Sequence, residues 1–177
     1  MNYQSLLRCA RNSIINALKN MDEREVAPKE YTSKHAGVFV TLRNKDGSLR
    51  GCVGTFLPSY ENIWEETFYN ARKAAFEDPR FDPVTPAQMS DIRLEISVLG
   101  KPEKIINSFE YAKKLDPNVY GIIVTASRFK KGLLLPGIEG VNTWQDQIEI
   151  CLRKGGIDLS EPISIERFRV EKVVEED

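Results

Sequence analysis

The chain has 177 residues, 41% hydrophobic and 29% charged, enough for one domain or two small ones with a real core, and too ordinary for a disordered or fibrous chain. Lys and Arg number 25 against 26 Asp and Glu, so no global positive field exists to hold nucleic acid or an anionic membrane. One histidine (His35) and three dispersed cysteines (Cys9, Cys52, Cys151) exclude a structural zinc site, a histidine-rich metal centre and a cysteine-ligated iron–sulfur cluster, so neither metal nor cofactor is expected.

Arg8 and Arg11 interrupt the apolar residues of the opening segment, which does not read as a secretory signal, and a cytoplasmic protein with free thiols is expected. No apolar run exceeds strand length, Val119 to Ala126 being among the longest, so no membrane span is expected. Leu6, Leu7, Ala10, Ile14, Ala17, Leu18 and Met21 recur at three- and four-residue steps, which predicts an amphipathic helix over about 3–20. After a charged stretch (Asp22 to Ser33), Val38, Val40 and Leu42 alternate up to the turn Asn44-Lys-Asp-Gly47, and Leu49, Gly51 and Val53 alternate after it, which predicts a hairpin. Ile63, Trp64, Phe68, Ala71 and Ala75 share one helical face that Asp78-Pro79 ends. The segment Asp78 to Pro86, with three of the nine prolines, reads as an extended loop, and Ile92, Leu94, Ile96 and Val98 alternate as a half-buried strand.

The second half repeats this order. Val119–Ala126 and Gly132–Leu135 flank a turn, Thr143 with Asp146 opens a helix as a capping box, Gly155-Gly156 closes it, and a strand over about 163–170 ends the pattern. The expected class is therefore α+β, an internally duplicated hairpin–helix–strand unit with a largely antiparallel sheet, in one domain over 1–177 whose parts divide at about 1–115 and 116–177. No crossover rhythm of a parallel nucleotide-binding sheet is present, and Gly51, Gly54 and the Gly132/Gly137/Gly140 set fit neither a P-loop nor a dinucleotide spacing.

The most unusual local chemistry is Leu49-Arg-Gly-Cys-Val-Gly-Thr-Phe56. Glycines inside a strand mark a bulge or a close approach by backbone or ligand. Strict alternation puts Gly51 and Val53 on the core side and projects Arg50 and Cys52 together from the other face. A guanidinium beside a thiol favours thiolate and also offers a fork for carboxylate or phosphate, so the pair suits a nucleophile or an anion clamp. The competing roles are a packed cysteine and a surface ion-pair arginine. A four-residue turn pairing Arg43 with Ser48 would set Phe39 opposite Cys52 and leave His35 about 13 Å from that pair, too far for a cysteine–histidine dyad.

This octapeptide resembles the Leu-Arg-Gly-Cys-Ile-Gly-Thr-Phe signature of the AMMECR domain family, known in bacteria and archaea as AmmeMemoRadiSam system protein A. The likeness continues in Gly37-Val-Phe-Val-Thr-Leu42, Asn70-Ala71, Asp78-Pro-Arg-Phe81, Ile96-Ser-Val-Leu99, Gly132-Leu-Leu-Leu-Pro136 and Leu152-Arg-Lys-Gly-Gly156. Val53 replaces isoleucine, and Tyr120 stands where many relatives carry histidine, so a histidine general base is not carried over. The resemblance implies a two-part α+β fold around a curved, barrel-like sheet, with the signature bordering a cleft. It implies no settled reaction. It does imply association with a Memo-type protein and a radical S-adenosylmethionine enzyme, whose three-cysteine cluster motif this chain lacks, so a companion role is expected.

Two functions follow. In the first, the cleft binds a small molecule or peptide group, with Cys52 as nucleophile, Arg50, Gly51, Gly54 and Arg80 as ligand contacts, and Glu95 and Tyr120 as proton carriers. Glu95 has an ion-paired strand carboxylate as its alternative role, and Arg80 a loop-holding pair with Asp78 or Asp82. In the second, the same cleft binds without breaking a bond and serves partner enzymes as a scaffold. Nucleic-acid binding rests only on Arg128-Phe-Lys-Lys131, which a solvated hairpin tip explains better.

Overall fold

Helix α1 (Gln4–Leu18) buries Leu6, Leu7, Cys9, Ala10 and Ile14, the stripe read from the sequence. In the computed structural model, which describes residues 3–105 and 115–176, a single helical turn follows as α2 (Lys29–Thr32), inside the charged stretch, anchored by the wholly buried Tyr31. Strands β1 (Val38–Asn44) and β2 (Leu49–Gly54) form the hairpin, and α3 (Ile63–Phe76) begins where the Asn62 side chain accepts from the Trp64 and Glu65 amides at 3.0 and 3.1 Å. A 3₁₀ turn over Pro86–Asp91, capped by Thr85 and Gln88, ends the proline-rich loop and leads into β3 (Ile92–Leu99). Strands β4 (Glu103–Ile105), β5 (Gly121–Thr125) and β6 (Lys131–Leu134) precede α4 (Trp144–Gly155), which has the expected Thr143/Asp146 capping box and a left-handed Gly156 at its end. The last predicted strand is two: β7 (Ser164–Phe168) and β8 (Val170–Val174).

The chain forms two compact units, Met1–Leu99 with Glu171–Asp177, and Gly100–Val170. The class is α+β. The first unit holds a sheet of order β2-β1-β3-β8 and the second one of order β4-β7-β5-β6. Both central pairings are antiparallel in each sheet, β1 with β2 and β3, and β5 with β6 and β7. Read from the second hairpin strand inward, the two orders are the same: hairpin strand two, hairpin strand one, the strand after the helix, then one extra strand. The duplication expected from the sequence is thus one of topology. Neither sheet closes into a barrel.

The correspondence extends to packing. In β2 a Cβ on Gly51 would lie 2.2 Å from the Ala74 carbonyl oxygen of α3, and in β6 a Cβ on Gly132 would lie 1.8 Å from the Cys151 carbonyl oxygen of α4. In both units a glycine in the second hairpin strand admits the backbone of the following helix. The first core gathers Val38, Val40, Leu42, Trp64, Leu94 and Ile96 under α1 and α3, and the second gathers Ile122, Val124, Leu134, Ile148 and Leu152 under α4. Among the described residues no helix is long and apolar enough to cross a membrane.

The hairpin register differs from expectation. Asn44 N donates to Ser48 O at 2.9 Å, and Gly47 at φ +83° closes a three-residue loop in place of a four-residue one. Leu42 then faces Gly51 while Arg43 faces Leu49, so Arg50 is an extra, bulged residue. Thr41, not Phe39, is the partner of Cys52, and Phe39 faces Gly54.

Candidate functional site

The Leu49–Phe56 signature is the outer strand of the first sheet, and Cys52 is its half-buried midpoint. Cys52 faces Thr41, and Thr41 faces Glu95 on β3, so the three side chains form a row across the sheet. Thr41 Oγ1 and Cys52 Sγ lie 3.2 Å apart. The Cys52 backbone turns away from β1: its amide donates to Asp78 Oδ2 at 2.8 Å, and its carbonyl accepts from Arg80 Nη2 at 3.2 Å. Arg80 also grips Asp78 through Nε to Oδ1 at 3.0 Å and Nη2 to Oδ2 at 2.7 Å. This hydrogen-bonded guanidinium, with the Cys52 and Arg80 amides, holds the buried Asp78 carboxyl well below the usual carboxylate range despite its burial. The Asp78-Pro-Arg segment therefore seals the open edge of β2 at the cysteine. Arg80 takes the loop-holding role and also brings a cation to the Cys52 carbonyl.

Arg50 does not share the Cys52 face as alternation predicts, because the bulge falls on it. Its side chain runs to Gln88, where Nη2 donates to Oε1 at 3.2 Å. That oxygen also accepts the Thr85 amide at 3.0 Å. Arg50 is only 9% exposed, and among the described residues its Nη1 has no hydrogen-bond partner.

The two glycines flanking Cys52 have protein neighbours. Gly51 takes the α3 carbonyl described above, and a Cβ on Gly54 would stand 2.3 Å from the Phe39 ring. The α3 carbonyl at Gly51 and Phe39 at Gly54 account for both glycines.

A buried polar network beneath the end of the signature was missed in the sequence. Glu66 is fully buried in α3 and accepts from the Thr55 hydroxyl, the Ser59 amide, and the Tyr60 amide at 2.7 Å. Asn70, one turn on, donates to Val38 O at 2.9 Å and to Glu66 Oε2 at 3.3 Å. Residue type alone does not mark the pair: Glu66 and Asn70 stand four apart on a helix, which reads as a solvated pair until burial is known.

Glu95 accepts from Arg43 Nε at 2.9 Å and Lys172 Nζ at 3.0 Å. Burial pushes its carboxyl up, but those two hydrogen-bonded cations outweigh it and keep the group below its ordinary value. At neutral pH it is a carboxylate. Tyr120 belongs to the second unit, where its hydroxyl accepts from Arg169 Nη2 at 2.9 Å and its ring lies against Arg167. Cys9 and Cys151 are buried, with sulfurs directed to the Trp64 and Ile122 carbonyls. Among the described residues no three His, Cys, Asp or Glu side chains come together as a metal site.

A protein of Thermotoga maritima is 43% identical over 155 residues, 87% of this chain and 86% of its own. Protein CA_C1420 of Clostridium acetobutylicum is 43% identical over 168 residues, 93% of this chain but only 34% of its own length. The crystal structure of uncharacterized protein PH0010 from Pyrococcus horikoshii is similar with a TM-score of 0.82 at 32% identity, covering 98% of this chain and 91% of that one. The AMMECR1 family model matches residues 7–173, and with these relatives it shows that the chain belongs to the AMMECR1 family.

Proposed function

We propose that the first unit binds a small anionic group, the carboxylate of a metabolite or of a peptide, at the Leu49–Phe56 segment, with Arg50 as the clamp. The observation that carries this reading is Arg50 Nη1, a donor on a side chain nine-tenths buried with no acceptor among the described residues. A buried N–H without a partner forfeits its solvation, and an anion restores it through a charge-assisted bond. Arg80, already paired with Asp78, enters the reading only through its bond to the Cys52 carbonyl. Gly51 and Gly54 enter it as the residues that keep the strand close to α3 and to Phe39.

Cys52 is the group of the segment suited to covalent chemistry, as nucleophile or anchor, with Thr41 as its hydrogen-bonding neighbour. Glu95, ionised at neutral pH, enters only as a proton acceptor. The setting is cytoplasmic.

A second reading is a binding module that serves partner enzymes of the Memo and radical S-adenosylmethionine types without chemistry of its own. It is favoured by the Clostridium relative, in which the matching region is about a third of a longer polypeptide. Co-purification with such partners from cells expressing both would support it.

Calorimetric titration with acetate and succinate tests the anion reading. Arg50→Gln is expected to weaken binding at least about tenfold, the loss of one charge-assisted bond. Equal affinity in the variant overturns it. Cys52→Ser that keeps ligand affinity but loses turnover assigns the cysteine to chemistry instead of binding.

A further inference from the structure

A second cationic site lies wholly within the second unit, in a groove of about 380 Å³ lined by Lys101, Glu103, Tyr120, Arg167, Phe168 and Arg169. Its charge is unbalanced: three cationic side chains face one carboxylate. Glu103 sits opposite Arg167 in the β4–β7 ladder and accepts from Arg167 Nε at 3.3 Å. That contact occupies one edge of one guanidinium. Arg169 donates to a neutral partner, the Tyr120 hydroxyl at 2.9 Å. Among the described residues neither Arg169 nor Lys101 forms an ion pair.

Tyr120 organises the groove. The Arg167 and Arg169 guanidinium carbons lie 4.5 and 5.1 Å from its ring centroid, so one aromatic ring holds two like charges that would otherwise separate. Its oxygen accepts from Arg169, which leaves the phenolic O–H to donate outward. The groove thus offers two guanidinium groups, an ammonium and one hydroxyl donor, with a surplus of two positive charges.

We propose that this groove binds a phosphate monoester of a small molecule, its dianionic phosphate matching the double charge surplus and its oxygens taking the arginine, lysine and Tyr120 donors. Lys101 and Arg169 supply the charge. Tyr120 acts as a ligand contact through its outward hydroxyl. The site is independent of the anion clamp at Arg50.

The test is titration of the full chain with inorganic phosphate and with glycerol phosphate, followed by ³¹P NMR and by calorimetry, against acetate as the monoanionic comparison. Saturable phosphate binding is expected, weakened about tenfold or more by Arg169→Gln and weakened less by Tyr120→Phe. Rising salt should weaken it. Should Arg169→Gln fail to fold, Arg169→Lys and Tyr120→Phe carry the same comparison. Absence of saturable phosphate binding, or equal phosphate affinity in Arg169→Gln, overturns the proposal. So does preference for a single-stranded oligonucleotide or a phosphopeptide over glycerol phosphate, which would assign the groove to a macromolecule. Loss of acetate binding in Arg50→Gln with phosphate binding intact would separate the two sites.

Discussion

Thr41 and Cys52 stand opposite each other across β1 and β2, their Oγ1 and Sγ atoms 3.2 Å apart, with the Cys52 backbone held from the far side by Asp78 and Arg80. The cysteine is fixed on three sides while its side chain stays half-buried. The other two thiols differ.

Only Cys52 should react with iodoacetamide in the folded protein. Burial, with Glu25 and Glu65 nearby, raises the Cys9 thiol far above its ordinary value, and burial pushes the Cys151 thiol up to about 12. Mass spectrometry after brief labelling at pH 8 should find adduct on Cys52 and none on Cys9 or Cys151 until denaturant is added. Labelling of Cys9 at the rate of Cys52 would contradict this.

Asp78 should give the first unit an acid-sensitive lock. Its folded pKa is lowered, chiefly by the Arg80 hydrogen bond, so its stabilisation is complete at neutral pH and is lost as pH falls below the unfolded value of about 3.9 toward the folded one. Asp78→Asn is expected to destabilise by about 1–3 kcal/mol at pH 7, and the difference from wild type should shrink in acid. Urea unfolding at a series of pH values measures it. A constant difference across pH would remove the charged pair from the account.

Glu66→Ala should cost about 3 kcal/mol, since it strands the Ser59 and Tyr60 amides and the Thr55 hydroxyl in a buried site. Glu66→Gln should cost less. Hydrogen exchange should accelerate at Ser59 and Tyr60 in the alanine variant before it does in the core strands. Unchanged protection there would mean that another group holds the turn.

The glycine contacts predict two kinds of epistasis. Gly54→Ala meets both the Phe39 ring and, at 2.6 Å, the Phe39 Cα, so Phe39→Ala should recover only the ring's share of a loss of about 1–3 kcal/mol. Gly51→Ala meets the Ala74 backbone carbonyl, and no single side-chain truncation should recover it. A double-mutant cycle that is additive for Gly54 and Phe39 would refute the contact.

Much of this architecture was legible in the sequence because local rules and packing agree there: the α1 stripe, the Thr143/Asp146 box and the repeated hairpin–helix–strand order all reappear. The short elements α2, β4 and β8 were not, since a few residues carry too little periodicity to separate from loop. At the site the error came from one turn. The left-handed Gly47 shortened the loop and the bulge at Arg50 broke alternation, so Arg50 went to Gln88 and Arg80 became the cation at Cys52. Register depends on backbone conformation at single residues, which residue type constrains only loosely. The Glu66 network was hidden because a carboxylate in a helix reads as solvent-facing unless its burial is known.

The most direct measurement of the central claim is the ¹⁵N NMR signal of the Arg50 guanidinium during an acetate titration of the full chain. The account predicts that Arg50 shifts saturably, with the same constant as the calorimetric binding, and that the shift disappears from the spectrum of Arg50→Gln along with that binding. A calorimetric response that leaves the Arg50 signal unmoved would contradict it.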